Sequence, residues 1–136
     1  PTIFQGRGKY LDREQAKESD EIAQFFALRD QRFTLVRRLV EDGVKLVSGS
    51  DSGVGYNSFD DYPGDLVLAT EGTDLSPLYM LKTATSVAAE ALGRDDLGTL
   101  APGKAADLLA VHGNPLRDIR ALTQPRLVVA RGQVVD

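Results

Sequence analysis

Apolar residues return along the first half of the chain near every 3.6 positions. From Ile22 to Val40 the series is Ile22, Phe26, Phe33, Val36 and Val40, with Phe25, Leu28, Leu35 and Leu39 widening the stripe. A stripe of this kind buries one side of a helix. Asp20 supplies a cap and Gly43 a left-handed stop, so the spacing predicts one long amphipathic helix. It delivers the chain into Val44-Lys45-Leu46-Val47, a short apolar run that reads as a buried strand. Pro1-Thr2-Ile3-Phe4 reads as the tail of another strand, followed by a loop at Gly6 and Gly8 and a polar stretch from Lys9 to Asp20. Strand, helix, strand in this order predicts a parallel βαβ unit.

After Val47 the small-residue turn Ser48-Gly49-Ser50-Asp51-Ser52-Gly53 leads into a polar and aromatic loop, residues 52–63. Leu66, Val67, Leu68 and Ala69 predict a short helix over Gly64 to Glu71, ended by Gly72. Ser76-Pro77 is a helix start, a cap followed by proline at the first helical position. Leu78, Leu81, Ala84, Thr85, Ala88 and Leu92 share one face of that helix, and Gly93 stops it. Beyond Gly98, Pro102 and Gly103 the period changes. Asp107 to Val111 reads as a strand, His112 to Pro115 as a turn, and Asp118 to Leu122 as one helical turn. Arg126 to Ala130 and Gln133 to Val135 form a hairpin across Arg131-Gly132. The expected organisation is an α/β portion over residues 1–93 and a mostly β segment over 94–136.

Composition narrows the function classes. The 136 residues fit one ordinary domain, with 42% hydrophobic and 26% charged positions. The formal net charge of −4 gives no electrostatic case for nucleic acid or an anionic membrane. There is no Cys, hence no disulfide, thiol nucleophile or thiolate metal site. No apolar run approaches the roughly 18 residues that span a bilayer. Neither an initiator Met nor a signal-peptide pattern opens the chain. A cytoplasmic setting and excision from a longer protein are the expectations.

The candidate chemistry sits at Asp51. In parallel sheets chemistry lies just past the carboxyl ends of strands. Asp51 follows one such strand, with Gly49 and Gly53 removing bulk on either side. Spacing alone leaves a second account open, an aspartate closing its own turn through local hydrogen bonds. Ser50 and Ser52 flank it, but no histidine stands near in sequence to activate them as nucleophiles. Tyr56, Asn57 and Tyr62 could line a pocket or pack. Asp60, Asp61 and Asp65 read as caps and solvated residues of a loop and helix start. Gly6-Arg7-Gly8 is too short for a phosphate loop. The single histidine, His112, falls in a turn and reads as an ordinary surface residue.

The second half carries an ordered string: Leu75-Ser76-Pro77, Thr83-Ala84-Thr85, Ala88-Ala89, Leu92-Gly93, Gly98-Thr99-Leu100-Ala101-Pro102-Gly103-Lys104, Ala106-Asp107-Leu108, Asn114-Pro115-Leu116 with Asp118-Ile119, then Val128-Val129 and Gly132-Gln133-Val134-Val135. This string resembles the C-terminal end of metal-dependent amidohydrolases, in the branch of imidazolonepropionase-like proteins and Xaa-Pro dipeptidases. Gly49-Ser50-Asp51-Ser52-Gly53 is similar to the end of that family's eighth barrel strand, and Pro1-Thr2-Ile3 to the start of its seventh.

The resemblance implies the last two βα units of a (β/α)8 barrel, followed by the C-terminal strands of a small β-sandwich. It implies one or two divalent ions, usually zinc, at the barrel mouth. Asp51 falls where the family places a metal-binding carboxylate that shuttles a proton from water to the leaving group. Ser52, Gly53 and Tyr56 fall where substrate would lie, a small molecule or a dipeptide-like amide. Lys104 falls in a structural turn. The family's His-x-His pair, Lys-bearing strand and further histidines do not occur in this sequence, and zinc takes about three protein ligands. The implied parent is therefore an enzyme that supplies them from a missing N-terminal barrel portion, and the 136 residues alone are expected neither to hold the metal nor to catalyse. Unpaired barrel edges recruit other chains, so a homo-oligomer or a piece of a larger enzyme is expected. The alternative is a standalone, non-catalytic assembly or binding module.

Overall fold

The longest element is the helix α1, Asp20–Glu41. The computed structural model describes residues 20–50, 52, 59–60 and 62–135, without the side chains of residues 21, 22 and 25. It continues with α2 (Tyr62–Thr73), α3 (Pro77–Ala84), α4 (Ser86–Ala91), β1 (Leu108–Val111), a 3-10 turn (Ile119–Thr123), β2 (Pro125–Ala130) and β3 (Gln133–Val135). The class is α/β with a small antiparallel sheet. Two packing units divide the described residues: those within Pro1–Val44 and Gly49–Leu75, and those within Lys45–Ser48 and Ser76–Asp136.

In the first unit the 3.6-residue stripe works as expected at its centre. Phe26, Phe33 and Val36 are buried, and Leu39 and Val40 half-buried. Leu28 and Leu35 correct the wider stripe: they are 55% and 56% exposed. They stand two residues from Phe26 and Phe33, about 200° around the helix from the buried seam. Arg29 lies over the Phe26 ring, 4.4 Å from its centroid, so its stem covers the aromatic pair while its charge faces the π-cloud. Gly43 ends α1 with φ +83°: its N–H donates to the Val40 carbonyl and that of Val44 to the Leu39 carbonyl, the paired bonds of a Schellman stop.

Helix α2 departs from expectation at both ends. It starts at Tyr62, two residues before the predicted start, and runs through Gly72. Gly72 is a packing residue. A Cβ there would fall 2.2 Å from Cε2 of Phe33, inside the ring's own volume. The missing side chain is what admits the ring. The actual stop is Asp74, a non-glycine residue at φ +58°. Arg37 of α1 fastens this end: its Nε–H donates to the Thr73 carbonyl at 2.7 Å. Thr73 is fully buried, its hydroxyl donating to the Ala69 carbonyl.

In the second unit, the single helix expected from Pro77 to Leu92 is two helices that break at Thr85 (φ −131°, ψ −95°). Ser76 caps α3, accepting from the Tyr79 N–H at 3.2 Å. The predicted buried face is also corrected. Met80, Thr83 and Ala89 are buried, while Leu78, Thr85 and Leu92 are exposed. The break resets the phase between the two helices, so one continuous 3.6-residue face cannot describe both. Gly98 (φ +76°) packs into the joint: a Cβ there would lie 2.7 Å from the Thr85 carbonyl oxygen and 2.8 Å from Ala89 Cβ. Gly93 ends α4 with the same stop as Gly43, Arg94 N–H reaching the Ala89 carbonyl.

Arg94 then grips Asp96 with two bonds of 2.7 and 2.6 Å. These hydrogen bonds, with the guanidinium charge behind them, hold the Asp96 carboxyl below the usual carboxylate range, against a smaller upward push from partial burial. A depressed value means the pair adds stability above the unfolded carboxylate value near 3.9, and that contribution is lost as pH falls through the lower folded value. Side-chain NMR titration should place the Asp96 midpoint below that of an unstructured aspartate; a midpoint at or above it removes the effect.

The strands follow the prediction closely. β1 pairs antiparallel with β2, Leu108 opposite Val129, with a register irregularity between Ala110 and Val111. β2 pairs with β3 across Arg131 and Gly132, both at positive φ (52° and 79°), the geometry of a type I′ hairpin turn. Asp107 accepts from the Arg131 N–H at 2.6 Å, and the Ala106 carbonyl from the Gly132 N–H at 2.9 Å. Beside the sheet, Asp118 caps the 3-10 turn through the Arg120 N–H, and Ile119 and Leu122 are buried. Pro102-Gly103 makes the turn expected there, with Lys104 N–H donating to the Ala101 carbonyl. His112 is an exposed turn residue whose N–H donates to the Gln124 carbonyl.

Candidate active site

Residues 44–50 are the approach to Asp51. Among the described residues they carry no strand pairing, so the strand expected over Val44 to Val47 is not seen there. A strand needs a ladder, and no described segment lies alongside. The expected companion, residues 1–4, lies outside the described residues, as does the parallel pairing the two would make. Lys45 to Ser48 are held instead by helices of their own unit. Ser48 N–H donates to the Thr83 carbonyl at 3.2 Å, and Lys45 Nζ meets Glu90 Oε1 at 2.6 Å. Thr83 is itself buried, its hydroxyl bonded to the Met80 carbonyl. The exposed Lys45–Glu90 pair adds little; the backbone bond fixes position.

Asp51, Gly53 and Tyr56 lie outside the described residues, with Asn57 and Asp61. Ser52 is described: half-buried in a turn, its hydroxyl donates to Ser50 Oγ at 2.8 Å and its N–H to the same atom at 3.3 Å. The sequence singled out both serines as poor nucleophiles, and the resemblance set Ser52 where substrate would lie. Their bonding to each other was legible only as a possibility of i, i+2 spacing. Gly49 is not crowded: a Cβ there meets nothing within 4 Å among the described residues. Asp60 is exposed, as a solvated loop residue should be. Asp65 corrects that reading for itself: it is 3% exposed, in the first turn of α2, where the helix dipole favours a carboxylate. Tyr62 is a half-buried member of α2 and not of the loop.

Asp51 offers one hard oxygen donor. Among the described residues no group of three or more His, Cys, Asp or Glu stands together. The described side chains therefore do not make up the three ligands that zinc ordinarily takes. Among the same residues no helix is long and apolar enough to cross a membrane.

The helical approach, the glycine stops and the terminal hairpin agree with one family. Residues 14–135 match the Amidohydrolase family, and the chain belongs to it. It is similar to the imidazolonepropionase of Deinococcus deserti, 39% identical over 83 residues, which cover 61% of this chain and 21% of that one. Among solved structures it is similar to a Xaa-Pro dipeptidase with bound methionine, with a TM-score of 0.72 and 31% identity over 80% of this chain and 26% of the other. It is also similar to a variant of the atrazine chlorohydrolase of Arthrobacter aurescens TC1 complexed with zinc and atraton, with a TM-score of 0.54 and 30% identity over 73% of this chain and 26% of that one. The chain thus spans about a fifth to a quarter of the length of these relatives.

Proposed function

We propose that this chain is the C-terminal part of a metal-dependent amidohydrolase that splits a C–N bond, in an amide or cyclic amide, with water as nucleophile. The observation that carries the reading is the family match over residues 14–135, which includes Asp51 and the turn around it. Names among the relatives point the same way: an imidazolonepropionase and a Xaa-Pro dipeptidase. In this reading residues 1–93 supply the last two βα units of a barrel and residues 94–136 the C-terminal strands of a β-sandwich. The remaining barrel strands come from the N-terminal part of the same enzyme. Taken alone, the 136 residues are inactive and associate with themselves or with that part.

Asp51 has two roles here. It is one ligand to a divalent ion, zinc by analogy with the zinc-complexed relative, one or two ions per enzyme. It is also the base that takes a proton from the attacking water and delivers it to the leaving nitrogen. The ion, when bound, brings water's pKa toward neutrality. A carboxylate suits the second role because it is ionised at neutral pH and releases its proton readily once the nitrogen becomes basic. Ser52, Gly53 and Tyr56 border the substrate, a small amide or dipeptide-like molecule. The setting is the cytoplasm.

Metal analysis of the longest native polypeptide containing this chain tests the reading. About one or two zinc-like ions per chain are expected, with a lower content in Asp51→Asn. A metal content unaffected by that substitution removes Asp51 from the site.

A further inference from the structure

The sequence holds one Asp-Gly pair, Asp42-Gly43, and no Asn-Gly pair. A peptide nitrogen that follows an aspartate can close a five-membered imide on that side chain. Glycine leaves the approach clearest, because it lacks a Cβ. The fold sets this pair in the stop of α1. Asp42 and Gly43 are both exposed, and nothing beyond their chain neighbours lies within 4 Å of where a Cβ on Gly43 would stand. One restraint opposes the reaction. The Gly43 N–H, whose nitrogen is the nucleophile, donates to the Val40 carbonyl at 3.0 Å, and the Val44 N–H to the Leu39 carbonyl at 2.8 Å. Ring closure needs that nitrogen deprotonated and its peptide turned onto the Asp42 carboxyl, so the closed stop holds the nucleophile back. Helix ends open at the low end of a protein's range of local stabilities.

We propose that Asp42-Gly43 is the principal site of spontaneous aspartate isomerisation in this chain, with the stop of α1 setting its rate. The Gly43 nitrogen gives up its proton and bonds to Asp42 Cγ, a carboxyl C–O bond breaks, and one water leaves. Water then opens the imide. Attack at Cγ restores aspartate. Attack at the main-chain carbonyl carbon of Asp42 gives isoaspartate, with the backbone running through Cβ. Water lost equals water regained, and no redox change occurs. The product has one extra main-chain atom before Gly43, which puts the Gly43 and Val44 N–H groups out of step with the carbonyls that accept them. A net hydrogen bond shifts an equilibrium by roughly fivefold, so the two together hold the folded rate about 10- to 100-fold below that of the unfolded chain.

The test is a timed incubation of the longest native polypeptide carrying the chain, in warm neutral buffer, folded and unfolded in urea, followed by tryptic digestion. Cleavage after Arg38 and Lys45 releases residues 39–45. The aspartate and isoaspartate forms of that peptide separate by chromatography and are told apart by electron-transfer fragmentation. Isoaspartate should accumulate at position 42 faster than at any other aspartate of this chain, and about 10- to 100-fold more slowly in the folded sample than in urea. Arg38→Gly removes a good helix former and the cation of the last turn while sparing the buried seam. It should raise the folded rate about threefold and leave the rate in urea unchanged. Another aspartate of this chain outpacing position 42, or no isoaspartate there even in urea, overturns the site. A folded rate within about twofold of the rate in urea, or one that Arg38→Gly does not raise, overturns control by the stop.

Discussion

In the longest native polypeptide carrying the chain, Asp51→Asn is expected to lower kcat by about 10²- to 10⁴-fold, the usual worth of a general base, even when zinc is added to saturation. Asparagine has nearly the same shape and can still donate and accept hydrogen bonds, so bulk is not what changes. It has lost the ability to take a proton at neutral pH. Saturating metal matters because the same side chain is read as a ligand: a rate recovered by zinc would report weakened binding, and a rate that stays low under zinc reports the missing proton acceptor. Steady-state turnover with metal content measured on the same samples distinguishes the two. Turnover within tenfold of the unsubstituted enzyme, at full metal occupancy, removes Asp51 from proton transfer.

Gly72→Ala destabilises the protein, although alanine is the better helix former by about 1 kcal/mol. The new methyl would stand 2.2 to 2.4 Å from three atoms of the Phe33 ring. Phe33 is buried and cannot swing into water without loss. Overpacking of this kind costs about 1–3 kcal/mol, and contact with an aromatic ring on a neighbouring helix belongs at the upper end. The net expectation is a loss of about 1–2 kcal/mol, a fall of several degrees in the thermal midpoint. In a Phe33→Ala background the same substitution should turn neutral or stabilising, because the obstacle is gone and only helix propensity remains. A higher midpoint for Gly72→Ala alone would show that the ring and the glycine do not share that space.

Much of the scaffold was legible because its signals are local. Gly43 and Gly93 stop helices at positive φ and Ser76-Pro77 opens one, each through bonds within a few residues, and Arg131-Gly132 turns a hairpin with both residues at positive φ. What escaped the sequence depends on partners distant along the chain. A glycine between helical residues reads as a stop, yet Gly72 is placed by a ring 39 positions earlier. The break at Thr85 is fitted to Gly98, which reads as a turn residue with no hint of what it touches. Leu28 and Leu35 obey a plausible period but sit beyond the seam that Phe26, Phe33 and Val36 bury. At the site, Asp51 was singled out through resemblance and lies outside the described residues, and the mutual hydrogen bonds of Ser50 and Ser52 were not legible. Two hydroxyls two residues apart are compatible with many turns, and only coordinates show one oxygen accepting twice.

The terminal sheet bears on how alignment between strands can be encoded. Leu108, Leu109, Leu127, Val128, Val134 and Val135 are all at least 39% exposed, so burial among the described residues does little to penalise a slip by one position. The clasp lies at the end of the ribbon, where the Asp107 carboxylate and the Ala106 carbonyl hold the peptide N–H groups of the reversing dipeptide. Alignment here is dictated from a connector, as a zip is set by its slider, which leaves the broad faces free to vary in size and shape without shifting the strands.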